Sequence, residues 1–186
     1  IILFLCDFKS STDFIFLKGY AHYYAGDDCY SGVMEYYARF SEVRKSGKTD
    51  RRFLLVFDEY PAFINYMQMK DKREKTKLAN DILGAVAEIL MLGRGIGFGC
   101  WIVTQRADST LFSNGARDNF MAVCALGRLS KEQKGMVFPG QEIADRIFQA
   151  GEGILLADGR EITPVKYPLI ENDAAWKQHI FDILNG

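Results

Sequence analysis

Two adjacent carboxylates, Asp58 and Glu59, follow five consecutive apolar residues, Phe53, Leu54, Leu55, Val56 and Phe57. An apolar run without period-2 alternation predicts a strand covered on both faces, as in a parallel α/β sheet. Such a strand delivers its last residues to the carboxyl edge, where ligands of open α/β sheets bind. There the first carboxylate is suited to hold Mg²⁺ and the second to polarise a water for attack on a γ-phosphate, the pattern of a Walker B element. The same letters arise where an Asp-Glu pair merely opens a loop after a core strand. The reading therefore depends on what the other strand ends carry.

Two further apolar runs end in polar residues. Residues 1–6 run into Asp7-Phe8-Lys9, and residues 100–103 into Thr104-Gln105-Arg106. Between them the pattern predicts a short strand within 19–26 and a helix over 31–45, with Ser31 as its cap. A second helix is predicted over 78–92, stopped by Gly93. The charged run 67–77 reads as a solvated loop or helix start, with contact to a phosphate backbone as its functional alternative. Residues 121–126 form a fourth strand, and 132–147 hold one or two short helices broken at Pro139-Gly140. Residues 153–157 and 160–167 form a hairpin about Asp158-Gly159. The tail 172–184 places Ala175, Trp176, Ile180, Ile183 and Leu184 on one helical face.

Composition bounds the class of protein. At 186 residues the chain is one domain or most of one, with 48% hydrophobic and 25% charged residues, the make-up of a packed soluble fold. A net charge of −1 gives no global attraction to nucleic acid or anionic membrane, so any such contact needs a local basic patch. Cys6, Cys29, Cys100 and Cys124 include no CxxC pair and read as small core residues of a reduced, cytoplasmic protein. With only His22 and His179 available, they argue against a zinc site. No apolar stretch is long enough to span a bilayer. The chain opens at Ile1 inside a strand, which suggests a piece of something longer.

Two glycine patterns fail on context. Gly47-Lys48-Thr49 resembles the end of a phosphate-binding loop, but GxxxxGK[ST] requires glycine where Glu42 stands, and the segment precedes a strand instead of following one. The stretch from Gly93 to Gly99 breaks GxGxxG and also precedes a strand. Its glycines suit a tight turn from helix into strand.

The three strand ends in order, Asp7-Phe8-Lys9, Asp58-Glu59 and Thr104-Gln105-Arg106, resemble the FtsK/SpoIIIE family of DNA-translocating ATPases. The turn from Gly93 to Gly97 resembles that family's basic-glycine turn before its sensor strand. Gly151-Glu152-Gly153-Ile154-Leu155 resembles the glycine-acid stretch before its final hairpin. The resemblance covers most of the chain. It implies a RecA-like P-loop NTPase fold, a mostly parallel sheet flanked by helices, truncated at the N-terminus and ending in a hairpin and helix. Its implied cofactors are ATP and Mg²⁺. Asp58 would bind Mg²⁺, Glu59 would orient the attacking water and Gln105 would sense the γ-phosphate, with Asp7 and Lys9 on the cofactor side. DNA-contacting loops would match 67–77, through Lys70, Lys72, Arg73, Lys75 and Lys77, and 107–118.

The family's arginine finger has no clear counterpart; Arg117 is displaced from its position, and Arg94 is the other candidate. The phosphate-binding loop lies upstream of the Asp-x-Lys strand in the family, so these residues alone are expected not to hydrolyse ATP. The expected sheet has a gap or exposed edge beside the sensor strand. The segment between Glu59 and Leu78, with that from Phe112 to Phe120, is more similar to coupling proteins of conjugative elements than to the chromosome-segregation branch. Implied partners are double-stranded DNA, or single-stranded DNA in conjugation, and a homo-hexamer of the full-length protein, anchored to the inner face of the cell membrane by a segment outside this chain. Three other readings remain open. They are a protein-secretion ATPase of the same superfamily, a degenerate ATPase-like assembly module, and an unrelated α/β hydrolytic enzyme, for which no second nucleophile or metal-ligand set is found.

Overall fold

Apolar runs bounded by glycine and polar residues leave their backbone groups to be paired between strands, and the computed structural model shows how. It describes residues 1–105, 119–143, 147–157 and 161–186. Strands β1 (Ile2–Asp7), β2 (Tyr23–Ala25), β3 (Phe53–Asp58) and β4 (Phe98–Ile102) form one sheet in the order β2-β1-β3-β4. All three pairings are parallel, with Ile2 opposite Phe53, Asp7 opposite Asp58 and Phe57 opposite Ile102. A mixed α/β architecture with a parallel sheet flanked by helices is thus present, as the motifs implied. Three antiparallel strands, β5 (Ala122–Leu126), β6 (Glu152–Ala157) and β7 (Thr163–Lys166), make a separate sheet.

Helices α1 (Cys29–Ser46), α2 (Tyr60–Glu74) and α3 (Leu78–Leu92) share one core with the parallel sheet. Phe4, Cys6, Leu55 and Phe57 meet Val33, Tyr36, Phe40, Phe63, Ile82 and Val86 there, all fully buried or nearly so. β3 alternates between buried and half-buried residues, which corrects the expectation of a strand covered on both faces. Leu54 and Val56 lie on the thinner side, and Trp101, opposite Val56 in register, is 66% exposed. That side receives Leu17 and the C-terminal helix α5 (Asp173–Asn185), whose Trp176, Ile180 and Leu184 line a groove with Leu3 and Leu5. Among the described residues no strand pairs with the outer side of β4.

Several boundaries differ from the sequence reading. Helix α1 begins at Cys29 after a 3₁₀ turn at Gly26–Asp28, so Ser31 lies inside it and is not its cap. The run 67–77 is the second half of α2 and a tight elbow, not a loop; apolar Phe63, Ile64 and Met67 carry the helix forward on its buried face. β5 extends the antiparallel sheet instead of the parallel one, with Ala122 opposite Ala157. Cys6 and Cys29 are buried as expected, whereas Cys100 is half-buried and Cys124 exposed, because only Ala125 of β5 is covered. Helix α4 (Lys131–Val137) starts at a Ser130–Gln133 capping box and stops before Pro139. The Asp158-Gly159 turn and the segment 107–118 lie outside the described residues. The helix-to-strand turn before β4 does use its glycines: Gly97 has φ +82°, and a Cβ on Gly93 would stand 2.8 Å from the Phe98 carbonyl oxygen.

The α2–α3 elbow is set by one side chain. Asp71 accepts the backbone N–H groups of Leu78 and Ala79, each at 2.9 Å, together with the Thr76 hydroxyl. It supplies from the preceding helix the cap that Lys77 cannot provide. Partial desolvation pushes its carboxyl up, but the three donors outweigh this and hold it below its ordinary value. A lowered folded pKa means that the stabilisation is present at neutral pH and lost as pH falls through that value. Asp71→Ala is therefore expected to lower the melting midpoint at pH 7, with the difference from wild type shrinking in acid; thermal melts across pH 7 to about 3 check this.

Candidate active site at the carboxyl edge

Parallel pairing in register sends every strand of the sheet to the same edge, and the residues singled out from the sequence meet there. Asp7 and Asp58 are direct cross-strand partners. Side-chain alternation puts both on the Leu5 and Val56 side, opposite Cys6 and Phe57. Asp7 is fully buried. Its Oδ2 accepts from the Tyr23 hydroxyl at 2.9 Å and from the Ser11 N–H at 2.8 Å, while its Oδ1 is buried with no hydrogen-bond partner among the described residues. Burial first, and the Asp7 carboxylate second, hold the Tyr23 hydroxyl above its ordinary pKa, so it remains a donor.

Asp58 is half-buried, and its carboxyl is pushed up by desolvation, then by the negative charges of Glu59 and Asp7, with Lys9 opposing. Glu59 begins α2 in the left-handed backbone region, φ 56° and ψ 40°, which is strained for a residue with a Cβ. That geometry turns the chain from strand into helix within one residue, and Pro61 in the first helical turn fits the new direction. Glu59 is 8% exposed. Its Oε1 lies 2.9 Å from the Lys9 ammonium.

The remaining predicted residues divide. Gln105 comes to the same edge: the Val103 N–H donates to the Phe57 carbonyl, keeping the chain beside β3 before Gln105 emerges exposed. It makes no hydrogen bond to the carboxylates. Arg94 is exposed on the Gly93–Ile96 turn at the amino end of β4. A strand of this length separates it from the carboxylates by about 16 Å, so it cannot complete its own site. Arg117 and Arg106 lie outside the described residues. Lys70 is engaged with Asp27 at 2.9 Å, beside the Tyr66 hydroxyl, whereas Lys72, Arg73, Lys75 and Lys77 are exposed around the elbow. Gly47 is the left-handed cap of α1, and Lys48-Thr49 precede β3 at the amino edge, away from the carboxylates.

The donor set fits a divalent cation held with substrate oxygens. Two adjacent carboxylates with uncompensated charge, one with an orphaned buried oxygen, are stabilised by a cation. Among the described residues no cluster of three or more protein ligands forms a closed metal cage. No local periodicity points to the Tyr23 and Ser11 bonds to Asp7 or to the Lys9–Glu59 pair, since each joins separate segments, nor to the left-handed backbone of Glu59.

No family model matches the chain. Over 90 residues, 48% of the chain, it is 33% identical to the FtsK domain-containing protein YdcQ of Bacillus subtilis (strain 168), of which this spans 17%. Its fold is similar to that of the pCW3 conjugation coupling protein TcpA, solved in monomer form with ATPγS, with a TM-score of 0.70 over 100% of this chain and 57% of that one, at 14% identity. It is also similar to the cytoplasmic domain of the Type VII secretion ATPase EccC of Thermomonospora curvata. There the TM-score is 0.57 over 91% of this chain and 22% of that one, at 18% identity. The fold is shared with these two proteins, and the resemblance to FtsK/SpoIIIE-type ATPases is borne out.

A carboxyl raised by its surroundings weakens the fold when ionised. Asp58 therefore costs nothing below the ordinary carboxylate range and destabilises as pH rises through its raised value. Without ligands, Asp58→Asn is expected to raise the melting midpoint at pH 7 and to leave it unchanged near about pH 3, read by paired thermal melts.

Proposed function

We propose that this chain is the carboxylate-bearing part of an ATP-driven DNA translocase of the FtsK/SpoIIIE type, serving conjugative transfer or chromosome partition. The observation that carries the reading is the pair Asp58-Glu59 beside Asp7 at the carboxyl edge of a motor-ATPase fold. Asp58, with Asp7 next to it, holds Mg²⁺. The metal when bound neutralises charge on the phosphates. Glu59 accepts hydrogen bonding from the attacking water, Gln105 reports on the γ-phosphate, and Lys9 stands on the cofactor side. The exposed Lys72, Arg73, Lys75 and Lys77, joined by Lys70 when Asp27 releases it, contact the DNA backbone without reading sequence, as a motor moving over any sequence requires.

The 186 residues hold no GxxxxGK[ST], so hydrolysis is expected of the full-length protein and not of this stretch alone. A homo-hexamer supplies the arginine finger in trans, and Arg94 and Arg117 are its candidates. The setting is cytoplasmic, with the membrane reached through a segment outside these residues. Among the described residues no helix is long and apolar enough to cross a membrane. The likeness to EccC favours a second reading, a motor that moves protein instead of DNA.

In the full-length protein, Glu59→Ala is expected to reduce ATP hydrolysis at least about a hundredfold while nucleotide binding persists. Replacing Lys72, Arg73, Lys75 and Lys77 by glutamine should abolish stimulation by double-stranded DNA and flatten the salt dependence of DNA binding. Hydrolysis that is indifferent to DNA and to these four changes would establish the protein-moving reading instead.

A further inference from the structure

We propose that Tyr23 is a positioning residue for the cation site, an inference that rests on the motor reading above. Its hydroxyl and the Ser11 N–H together occupy one oxygen of Asp7, so that the other is the acceptor left for the metal or its water. Asp7 is fully buried, and its Oδ2 accepts from the Tyr23 hydroxyl at 2.9 Å and from the Ser11 N–H at 2.8 Å. Its Oδ1, equally buried, has no hydrogen-bond partner among the described residues. Buried polar atoms are ordinarily satisfied, so an open oxygen beside a doubly held one points to a ligand that completes the set.

The edge strand brings this one tyrosine of its segment to the site. Parallel pairing sets Tyr23 opposite Leu5, and alternation puts its ring on the side of β1 that Leu5 and Asp7 share. Tyr24, on the other face, donates its hydroxyl to Glu35 of α1, and Tyr20 donates to the Leu3 carbonyl. The second donor is held by the backbone. The Ser10 N–H donates to the Asp7 carbonyl, and Ser10 turns the chain with a left-handed φ of 52°, which brings the Ser11 N–H back to the same carboxylate.

The terminal torsion of an aspartate is broad and roughly two-fold, so a carboxylate held by one donor can turn about it and exchange its oxygens. Donors arriving from separate segments, β2 and the loop after β1, fix its plane as well as its position. Asp58 stands directly opposite Asp7 in register, so a fixed plane gives the two carboxylates a constant relation. Mg²⁺ demands near-ideal octahedral geometry, whereas Ca²⁺ accepts flexible arrangements, so a rigid carboxylate discriminates between them. Removing the Tyr23 hydroxyl leaves the Ser11 N–H in place and loosens the carboxylate without deleting it.

The test is binding of ATPγS to the full-length protein, titrated with Mg²⁺ or with Ca²⁺ at a temperature below every melting midpoint. It compares wild type with Tyr23→Phe, Asp7→Asn and the double variant. Tyr23→Phe is expected to raise the half-saturating Mg²⁺ roughly tenfold, the loss typical when a group that orients a metal ligand is removed. Half-saturating Ca²⁺ rises less than about twofold, and binding of ATPγS without metal is unchanged. In the Asp7→Asn background Tyr23→Phe has no further effect, because the hydroxyl acts through that carboxylate. If Asp7→Asn does not fold, the contrast between Mg²⁺ and Ca²⁺ in Tyr23→Phe decides. An equal rise for both cations, or a loss of metal-free binding, overturns the proposal and makes Tyr23 a packing residue of the edge strand. An unchanged Mg²⁺ dependence in Tyr23→Phe, or an undiminished effect beside Asp7→Asn, overturns this inference alone. A wild-type protein that binds no ATPγS, or binds it without regard to Mg²⁺, overturns the motor reading along with it.

Discussion

Parallel backbone pairing of β1, β3 and β4 is the constraint on which the rest depends. The hydrogen-bonded register sets Asp7 directly opposite Asp58 and carries the chain after β4 along the same edge. A one-residue slip would turn Asp58 into the core side now held by Phe57 and expose an aromatic ring in its place. The register is fixed by the apolar side chains beneath it, since Phe4, Leu55 and Phe98 find buried partners only in this alignment. Core packing and site geometry are therefore one requirement satisfied twice.

The electrostatics of the edge run against the fold. Asp7 is buried with one oxygen unpartnered among the described residues, Asp58 is desolvated among like charges, and Glu59 adopts a backbone conformation that costs on the order of 1 kcal/mol. Structures retain such features where the surroundings over-determine them, and here α2 does so by packing Tyr60, Phe63 and Ile64 into the core. In the proposed function this arrangement would be preorganised for a cation and for charge that develops on a bound phosphate, because Asp7 is buried and Asp58 desolvated before any ligand arrives.

Much of this was legible from short-range pattern. The 78–92 helix was read to the residue, and the β1, β3 and C-terminal hairpin strands were recognisable from apolar runs and turn residues. The misreadings share a cause. Charge density in 67–77 suggested solvent on all sides, yet a helix needs only one apolar stripe, and Phe63, Ile64 and Met67 provide it. Continuous apolar sequence in β3 suggested two covered faces, yet α1 to α3 all gather on one side, leaving Leu54 and Val56 half-buried and Trp101 exposed. Sequence pattern reports what a residue tolerates, not how many elements arrive to cover it.

The amino-acid sequence by itself determined which residues end the strands: Asp7, Asp58, Glu59 and Gln105 each follow an apolar run, and hydrophobic burial forces such residues to an edge. It also supplied the candidate chemistry, since paired carboxylates and an amide on successive strand ends suit a metal and a phosphate. Only the tertiary structure decided the contacts among them. Lys9 and Glu59 are fifty positions apart, and Tyr23 reaches Asp7 through a strand pairing that begins with β1 and β2. Those distances are set by the helices packed against the sheet, and no local propensity encodes them.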